Sequence, residues 1–375
     1  MGETLMDNVY RLPAMLMRGG TSKGLFIRAD ALPDDTECWE PMLLRALGSP
    51  DPHGLQLDGL GAGLSSTSKV VVLSPSRRDD CDVDCLFGHV ALREARIDWS
   101  GNCGNLASAV PLFAVMEGLA RPGDGVATLS IWQANVGKRI LAELEIFHGQ
   151  PVWQGDFRID GIATPGAPIR LRFLDPVGGC SGELFPTGRL IDELKLPDGS
   201  HVEATLVDAG NPTLFVRARD FGLQGHERNG EIELAALRRL ELARATASVA
   251  MGLASDIFEA ERERPGTPRI SFLAPSREPD RQIEARVLSG RRLHHAYSGT
   301  GAIALACACA VEGTLAAELA GGAVRGMPLT FGHASGQQTL EAVLGLGELG
   351  WTIDEVVMTR TARPLMRGEA FIPME

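Results

Sequence analysis

Two stretches of the chain carry no formal charge and are apolar on every side: residues 102–116 (NCGNLASAVPLFAVM) and 296–311 (AYSGTGAIALACACAV). A helix with no polar face cannot lie on a surface, because water would meet apolar side chains whichever way it turned. Each of these two predicted helices must therefore be wrapped on all sides. Both follow a small, polar, Gly-rich turn, SGNCGN at 100–105 and SGTG at 298–301. Further upstream, GLFI at 24–27 lines up with PTLFV at 212–216 at nearly the same offset. The two matches suggest an internal duplication, the alternative being a chance likeness of Gly-rich turns. A chain of 375 residues, 44% of them hydrophobic, has the length for two domains with a core each.

The wrapping material is legible as short β-rich runs at 69–74, 126–132, 169–173, 213–217, 269–273 and 282–288. Several alternate apolar and polar residues, the pattern of antiparallel strands with one wet face. Amphipathic helices are predicted over 231–251, 36–47 and 189–194. The polar, Pro-bearing stretches 261–265 and 275–280 read as solvated loops.

Charge then narrows the partners. Lys plus Arg number 36 against 48 for Asp plus Glu, a net charge of −12, so no global field gathers nucleic acid or an anionic membrane. An anionic ligand must be met by a local cationic pocket. No window reaches the roughly 18 apolar residues a membrane span needs. The opening MGETLMDN is acidic where a secretion signal is basic, and Met6 breaks the myristoylation pattern. Seven cysteines at irregular spacing, with no C-x-x-C pair, predict reduced thiols and a soluble cytoplasmic protein. No His, Cys, Asp or Glu set has metal-ligand spacing, so neither a metal nor an organic cofactor is expected.

Three motifs can carry chemistry. Arg18-Gly-Gly-Thr-Ser-Lys-Gly24 has its lysine and hydroxyls in the wrong order for a nucleotide phosphate loop. Arg18 and Lys23 beside Thr21, Ser22 and flexible backbone N–H groups instead suit a carboxylate cradle, against the bland alternative of a solvated Gly turn. Lys69 stands where the Gly/Ser/Thr-rich segment 61–68 enters an all-valine run. Partial desolvation there would favour the neutral amine and make a base, unless the side chain snorkels to water. Cys103, flanked by Asn102, Gly104 and Asn105, is predicted at the N-terminal end of a buried helix, where orphan N–H groups lower a thiol pKa and hold carboxylates. His294 and His295 precede the second turn and read as structural or solvent-facing. Cys307 and Cys309 read as core packing.

The segments MRGGTSKG (17–24), GSPDPHGLQLDGLG (48–61), SSTSKVV (65–71), DWSGNCGN (98–105), IWQANVGK (131–138) and FPTG (185–188) together resemble the PrpF family of 2-methylaconitate isomerases. Relatives of that family include 4-oxalomesaconate, methylitaconate and aconitate Δ-isomerases. The resemblance implies an α+β fold of two similar diaminopimelate-epimerase-like domains, 1–184 and 185–375. Each would be a β-barrel-like sheet around one central helix, with the active site in the interdomain cleft and the last strand free to return to the first domain. It further implies Lys69 and Cys103 as catalytic residues. Substrate carboxylates would be held by Arg18, Thr21, Ser22, Lys23, Ser66, Thr67, Ser68, Asn102, Gly104 and Asn105 from the first half, and by Ser298, Gly299, Thr300 and Gly301 from the second.

One departure matters. Two-base racemases and epimerases of this fold use a cysteine in each half, whereas here Ser298 takes the second place, and serine is a far poorer base. The expected activity is cofactor-independent isomerisation of an unsaturated tricarboxylate by allylic proton transfer. The alternatives are a 4-oxalomesaconate isomerase, or a non-catalytic tricarboxylate-binding helper of an aconitase-like enzyme. The expected partner is the small-molecule tricarboxylate, with room for a homodimer and none for nucleic acid or membrane.

Overall fold

The computed structural model describes residues 9–289, 292–345 and 352–374. The opening segment on which the signal-sequence reading rests lies outside them. Among the described residues no helix is long and apolar enough to cross a membrane. The chain divides into two compact units, the first comprising 1–158, 164–171 and 360–375, the second 159–163 and 172–359.

In the first unit the strands are β1 (Val9–Gly19), β2 (Ser22–Arg28), β3 (Lys69–Pro75), β4 (Val83–Val90), β5 (Ile97–Asp98), β6 (Gly125–Gln133), β7 (Lys138–Phe147) and β8 (Gln150–Pro151). Strand β9 (Ile169–Leu174) begins in this unit and ends in the second. β1 and β2 form a hairpin, β2 runs parallel to β3, β3 antiparallel to β4, β4 parallel to β6, and β6 antiparallel to β7. Apolar side chains on one face (Leu12, Leu25, Ile27, Val70, Val72) pack with helix α1 (Trp39–Leu47). The other face meets helix α2 (Val110–Met116), with the Phe26 and Phe113 rings 5.7 Å apart.

The second unit repeats this wiring. Its strands are β10 (Asp192–Lys195), β11 (His201–Ala209), β12 (Asn211–Arg217), β13 (Arg269–Pro275), β14 (Ile283–Ser289), β15 (Arg292–Leu293), β16 (Leu329–His333), β17 (Gly336–Gly345) and β18 (Thr352–Arg360). β11 and β12 form a hairpin, β12 runs parallel to β13, β13 antiparallel to β14, β14 parallel to β16, and β16 antiparallel to β17. Helix α3 (Leu234–Ala250) covers one face, followed by α4 (Ile257–Arg262). Helix α5 (Gly299–Ala310) is buried over its entire length and α6 (Leu315–Leu319) follows it. The final strand β19 (Ala362–Pro373) pairs with β1 of the first unit.

Four expectations need correction. The first unit stops well short of Leu184, because residues 172–184 bond within the second: Arg172 pairs with Glu355 at 2.8 Å, and the Asp208 carboxylate accepts from the Cys180 and Ser181 N–H groups. Residues 189–194 do not form a helix; Asp192 and Leu194 are buried while Glu193 and Lys195 are exposed, a period of two that belongs to a strand. Residues 102–116 are not one helix either. A 3₁₀ turn over Leu106–Ser108 precedes α2, since Pro111 has no N–H to give to the Ala107 carbonyl and the α-helical ladder cannot run through it. Glu261 and Arg262 also belong to α4 rather than to a loop.

Candidate functional site

The β1–β2 hairpin turns through Gly19, Gly20 and Thr21 directly against the Cys103 turn. Gly20 has φ +51°, and a Cβ there would run into the Asn105 side chain; one on Gly19 would lie 2.6 Å from the Asn105 carbonyl. The glycine pair is thus what lets the two backbones touch. Polar bonds then fix the contact. Asn105, 2% exposed, donates from Nδ2 to Thr21 Oγ1 at 3.1 Å, while its Oδ1 accepts from Arg360 Nε at 3.3 Å. The Thr361 carbonyl accepts from the Gly20 N–H at 2.9 Å and from Arg18 Nη1 at 2.8 Å. Arg360 is fully buried, and desolvation lowers its pKa to about 10. Nothing in the sequence reading singled it out, since a lone arginine late in the chain belongs to none of the motifs above.

Lys69 opens β3 and is 6% exposed, so it does not snorkel. Its Nζ sits 5.0 Å from the centroid of the Phe87 ring, a cation–π contact from the neighbouring strand. A Cβ on Gly24 would lie 3.4 Å from Lys69 Cβ and 2.8 Å from Leu106 Cδ1, which puts Lys69 on the α2 side of the sheet, beside the Cys103 turn. In register, Lys69 faces His89 on β4, and His89 faces Asp98 on β5. Asp98 completes this row as a carboxylate. Burial acts to raise its pKa, but bonds from the Ser100 N–H and hydroxyl, together with His89 and Arg96, outweigh that and hold it below the usual range. Phe87 and His89 were not singled out in the sequence because segment 83–90 was not read as a strand.

Cys103 and Asn102 are buried, and the Cys103 carbonyl accepts from the Ala107 N–H at 3.0 Å. With α2 beginning at Val110, Cys103 does not occupy an α-helix terminus. Cys85, on the same face of β4 as Phe87, is pushed up to about 12 by burial and secondarily by its neighbour Cys103.

The remaining predicted residues divide by location. Ser22 is buried on the Lys69 side. Arg18 and Lys23 face each other across β1 and β2, with Arg363 opposite Arg18 on β19. By alternation this cationic row lies on the sheet face opposite Lys69. Burial, then the Arg363 charge, lowers the Arg18 pKa to about 10. The Ser66 carbonyl accepts from the Lys23 N–H at 2.9 Å. Thr67 bonds locally to Leu64, and the Ser68 hydroxyl donates to the Val90 carbonyl while accepting from Gln56 Nε2, so both hydroxyls are committed to shaping the loop.

In the second unit Ser298 is a genuine helix cap, its Oγ accepting from the Gly301 N–H at 3.2 Å. Thr300 Oγ1 accepts from Asn211 Nδ2 at 2.9 Å, tying the turn to the β11–β12 hairpin. Gly299 and Gly301 are buried in the first turn of α5. His294 is buried, with Nδ1 accepting from the Ala296 N–H and its ring stacked on His295. Burial drives the Cys307 and Cys309 thiols far above the ordinary range, which makes them inert packing groups. Among the described residues no group of His, Cys, Asp and Glu could hold a metal ion.

The family model described as PrpF protein matches residues 9–373. The 2-methyl-aconitate isomerase of Shewanella oneidensis is 42% identical, covering 100% of this chain and 100% of its own. The crystal structure of methylitaconate-delta-isomerase aligns with a TM-score of 0.76 at 30% identity, covering 98% of this chain and 97% of that one. A hydroxyproline epimerase from Agrobacterium vitis, 15% identical, aligns with a TM-score of 0.58 over 97% of this chain and 93% of its own, which shows a shared fold. The chain belongs to the PrpF family and is an isomerase on an epimerase-like α+β fold.

Proposed function

We propose that the protein isomerises an unsaturated tricarboxylate of the 2-methylaconitate type by proton transfer alone. The observation that carries this reading is Lys69, buried at the head of β3 on the side of the sheet that meets the Cys103 turn. A lysine removed from water gives up its proton more readily. The neutral amine takes a proton from the carbon allylic to the C=C bond, leaving a carbanion delocalised over the alkene and a carboxylate. Returning the proton to the far carbon moves the double bond; returning it to the same carbon after rotation exchanges cis for trans. Cys103 is the second group of this reading, as acid/base or as a positioning contact.

Carboxylates are held by Thr21, Ser22, Asn102, Gly104, Asn105 and Ser66 near Lys69, and by Ser298, Gly299, Thr300 and Gly301 at the start of α5. Ser298 Oγ accepts from Gly301, which leaves its O–H to donate to an anion. Arg18 and Lys23, on the far face, supply positive potential from behind the hairpin. Donors placed in advance where charge develops lower the barrier without reorganisation.

The test is incubation with cis-aconitate, trans-aconitate, 2-methylaconitate and 4-oxalomesaconate in deuterated water, followed by NMR. Deuterium entering the allylic positions of 2-methylaconitate, and absent with Lys69→Ala, supports the reading. Turnover of 4-oxalomesaconate alone moves the substrate to the aromatic-acid branch, and binding without exchange on any of the four makes the protein a non-catalytic helper.

A further inference from the structure

Strand β10 pairs with β11 on one side, and among the described residues its other edge meets no strand in register. The Leu196 N–H donates to the Ser200 carbonyl at 2.8 Å, which fixes the parity of the ladder. Leu194 and Asp192 therefore bond inward to Val202 and Ala204, and the backbone N–H and C=O groups of Glu193 and Lys195 point outward. An edge with outward-pointing groups is a template for another strand. Alongside it runs a groove of about 700 Å³ lined by Thr246, Val249, Ala250, Ile257 and Phe258, with Phe258 65% exposed.

We infer that this edge is the dimerisation surface of the protein, and that its occupant is β10 of a second copy, antiparallel about a two-fold axis through Leu194. Charge complementarity selects that occupant. A two-fold centred on Leu194 sets Glu193 of one copy opposite Lys195 of the other, twice over. Each of these pairs exchanges two backbone hydrogen bonds, four in all. Their side chains, on the exposed face, meet as opposite charges, the favourable cross-strand combination. Register is fixed from both directions. A shift by one residue turns the outward groups away from each other, and the next outward position beyond Lys195 is Pro197, which has no N–H to extend the ladder. The axis stands perpendicular to the sheet, so the groove and Phe258 of each copy lie on the same side and close over one another. Glu193 also sits 3.1 Å from His201 Nδ1 on its own sheet, which holds the carboxylate on the face where the partner lysine arrives.

Sedimentation velocity across a concentration series, with E193K, K195E, the double variant and an equimolar mixture of the two single variants, tests the inference. The wild type is expected to form a concentration-dependent dimer. Each single reversal puts two like-charge pairs across the axis and should weaken it at least tenfold, roughly, from the usual worth of cross-strand charge pairs. The double variant and the mixture both restore opposite charges at every pair and should dimerise to within about threefold of wild type, which a merely damaged surface would not do. A wild type that stays monomeric at millimolar chain, a dimer indifferent to the single reversals, or a mixture that fails to re-form it would each overturn the proposal. Isomerase activity should be unchanged throughout, since neither residue is among the groups proposed to move the proton or hold the carboxylates.

Discussion

The two units share a strand order but carry different residues at the matching places. In the first, the strand running parallel to the hairpin begins with Lys69; in the second, the corresponding strand begins with Arg269. The first Gly-rich turn carries Cys103 ahead of a 3₁₀ turn and the seven-residue α2. The second carries Ser298 as the cap of a continuous twelve-residue helix. Even the bond between hairpin and turn is mirrored, Asn105 on the turn reaching Thr21 on the hairpin in one unit, and Asn211 on the hairpin reaching Thr300 on the turn in the other. The lesson is that the same frame is built twice, while Lys69 and Cys103 have Arg269 and Ser298 as their counterparts at the matching places. Arginine holds its proton far above neutrality and a serine hydroxyl does not ionise there.

The sharpest way to break that asymmetry is to give the first unit the residue of the second. Lys69→Arg keeps the charge and removes the titratable amine, so it should lose activity as fully as Lys69→Ala, by roughly a hundred- to ten-thousand-fold in kcat, with the fold intact by circular dichroism. A Lys69→Arg enzyme with near-normal turnover would make the charge, rather than the base, the operative property.

Next in size is the pair Cys103→Ser and Ser298→Ala. Cys103→Ser should depress kcat, whereas Ser298→Ala should act mainly on KM, by about 1.5–3 kcal/mol of binding for one hydrogen bond to a charged group. Because Ser298 Oγ also caps α5, Ser298→Ala should further cost about 1 kcal/mol of stability, read as a lower thermal midpoint. Collapsed kcat at unchanged KM in Ser298→Ala, beside a fully active Cys103→Ser, would reverse the roles assigned to the two halves.

Gly20→Ala tests the hairpin contact. Positive φ and the Asn105 side chain both oppose a Cβ, and a loss of roughly 1–3 kcal/mol is expected in denaturant unfolding. Asn105→Ala in the same background should recover part of it by vacating the space.

The smallest effect concerns acid. Asp98 has a folded pKa below its unfolded value, so its stabilisation is present above the unfolded carboxyl pKa of about 4 and is lost as pH falls through the lower folded value. Asp98→Asn should therefore be less stable than wild type at neutral pH and lose less between neutrality and acid, a difference readable from unfolding midpoints at pH 7 and below pH 4. Parallel pH dependence in the two proteins would remove His89 and Asp98 from the account of the Lys69 environment.

Much of this was legible from residues alone where one local pattern sufficed. Segments 102–116 and 296–311 had no polar face, and burial of the second helix over its full length followed from that. Valine after valine behind Lys69 marked a strand whose first residue would leave water. Where a segment had two readings, neighbours decided. Residues 189–194 carry enough apolar side chains for a helical turn, and only pairing with β11 makes the period of two the stable choice. Pro111 was visible in the sequence, yet its effect on Cys103 depends on where the hydrogen-bond ladder starts.

By itself, then, the sequence determined the family motifs, the two buried helical segments, and the candidates Lys69 and Cys103, because periodicity, glycine and proline act over a few residues. Only the tertiary structure decided what those candidates touch. The Phe87 ring beside Lys69, the His89–Asp98 row and Arg360 on Asn105 come from partners distant along the chain, brought together by strand register. It also decided that Arg18 and Lys23 face away from Lys69, because alternation along a strand gives every residue a side, but only pairing with the next strand says which side holds the helix.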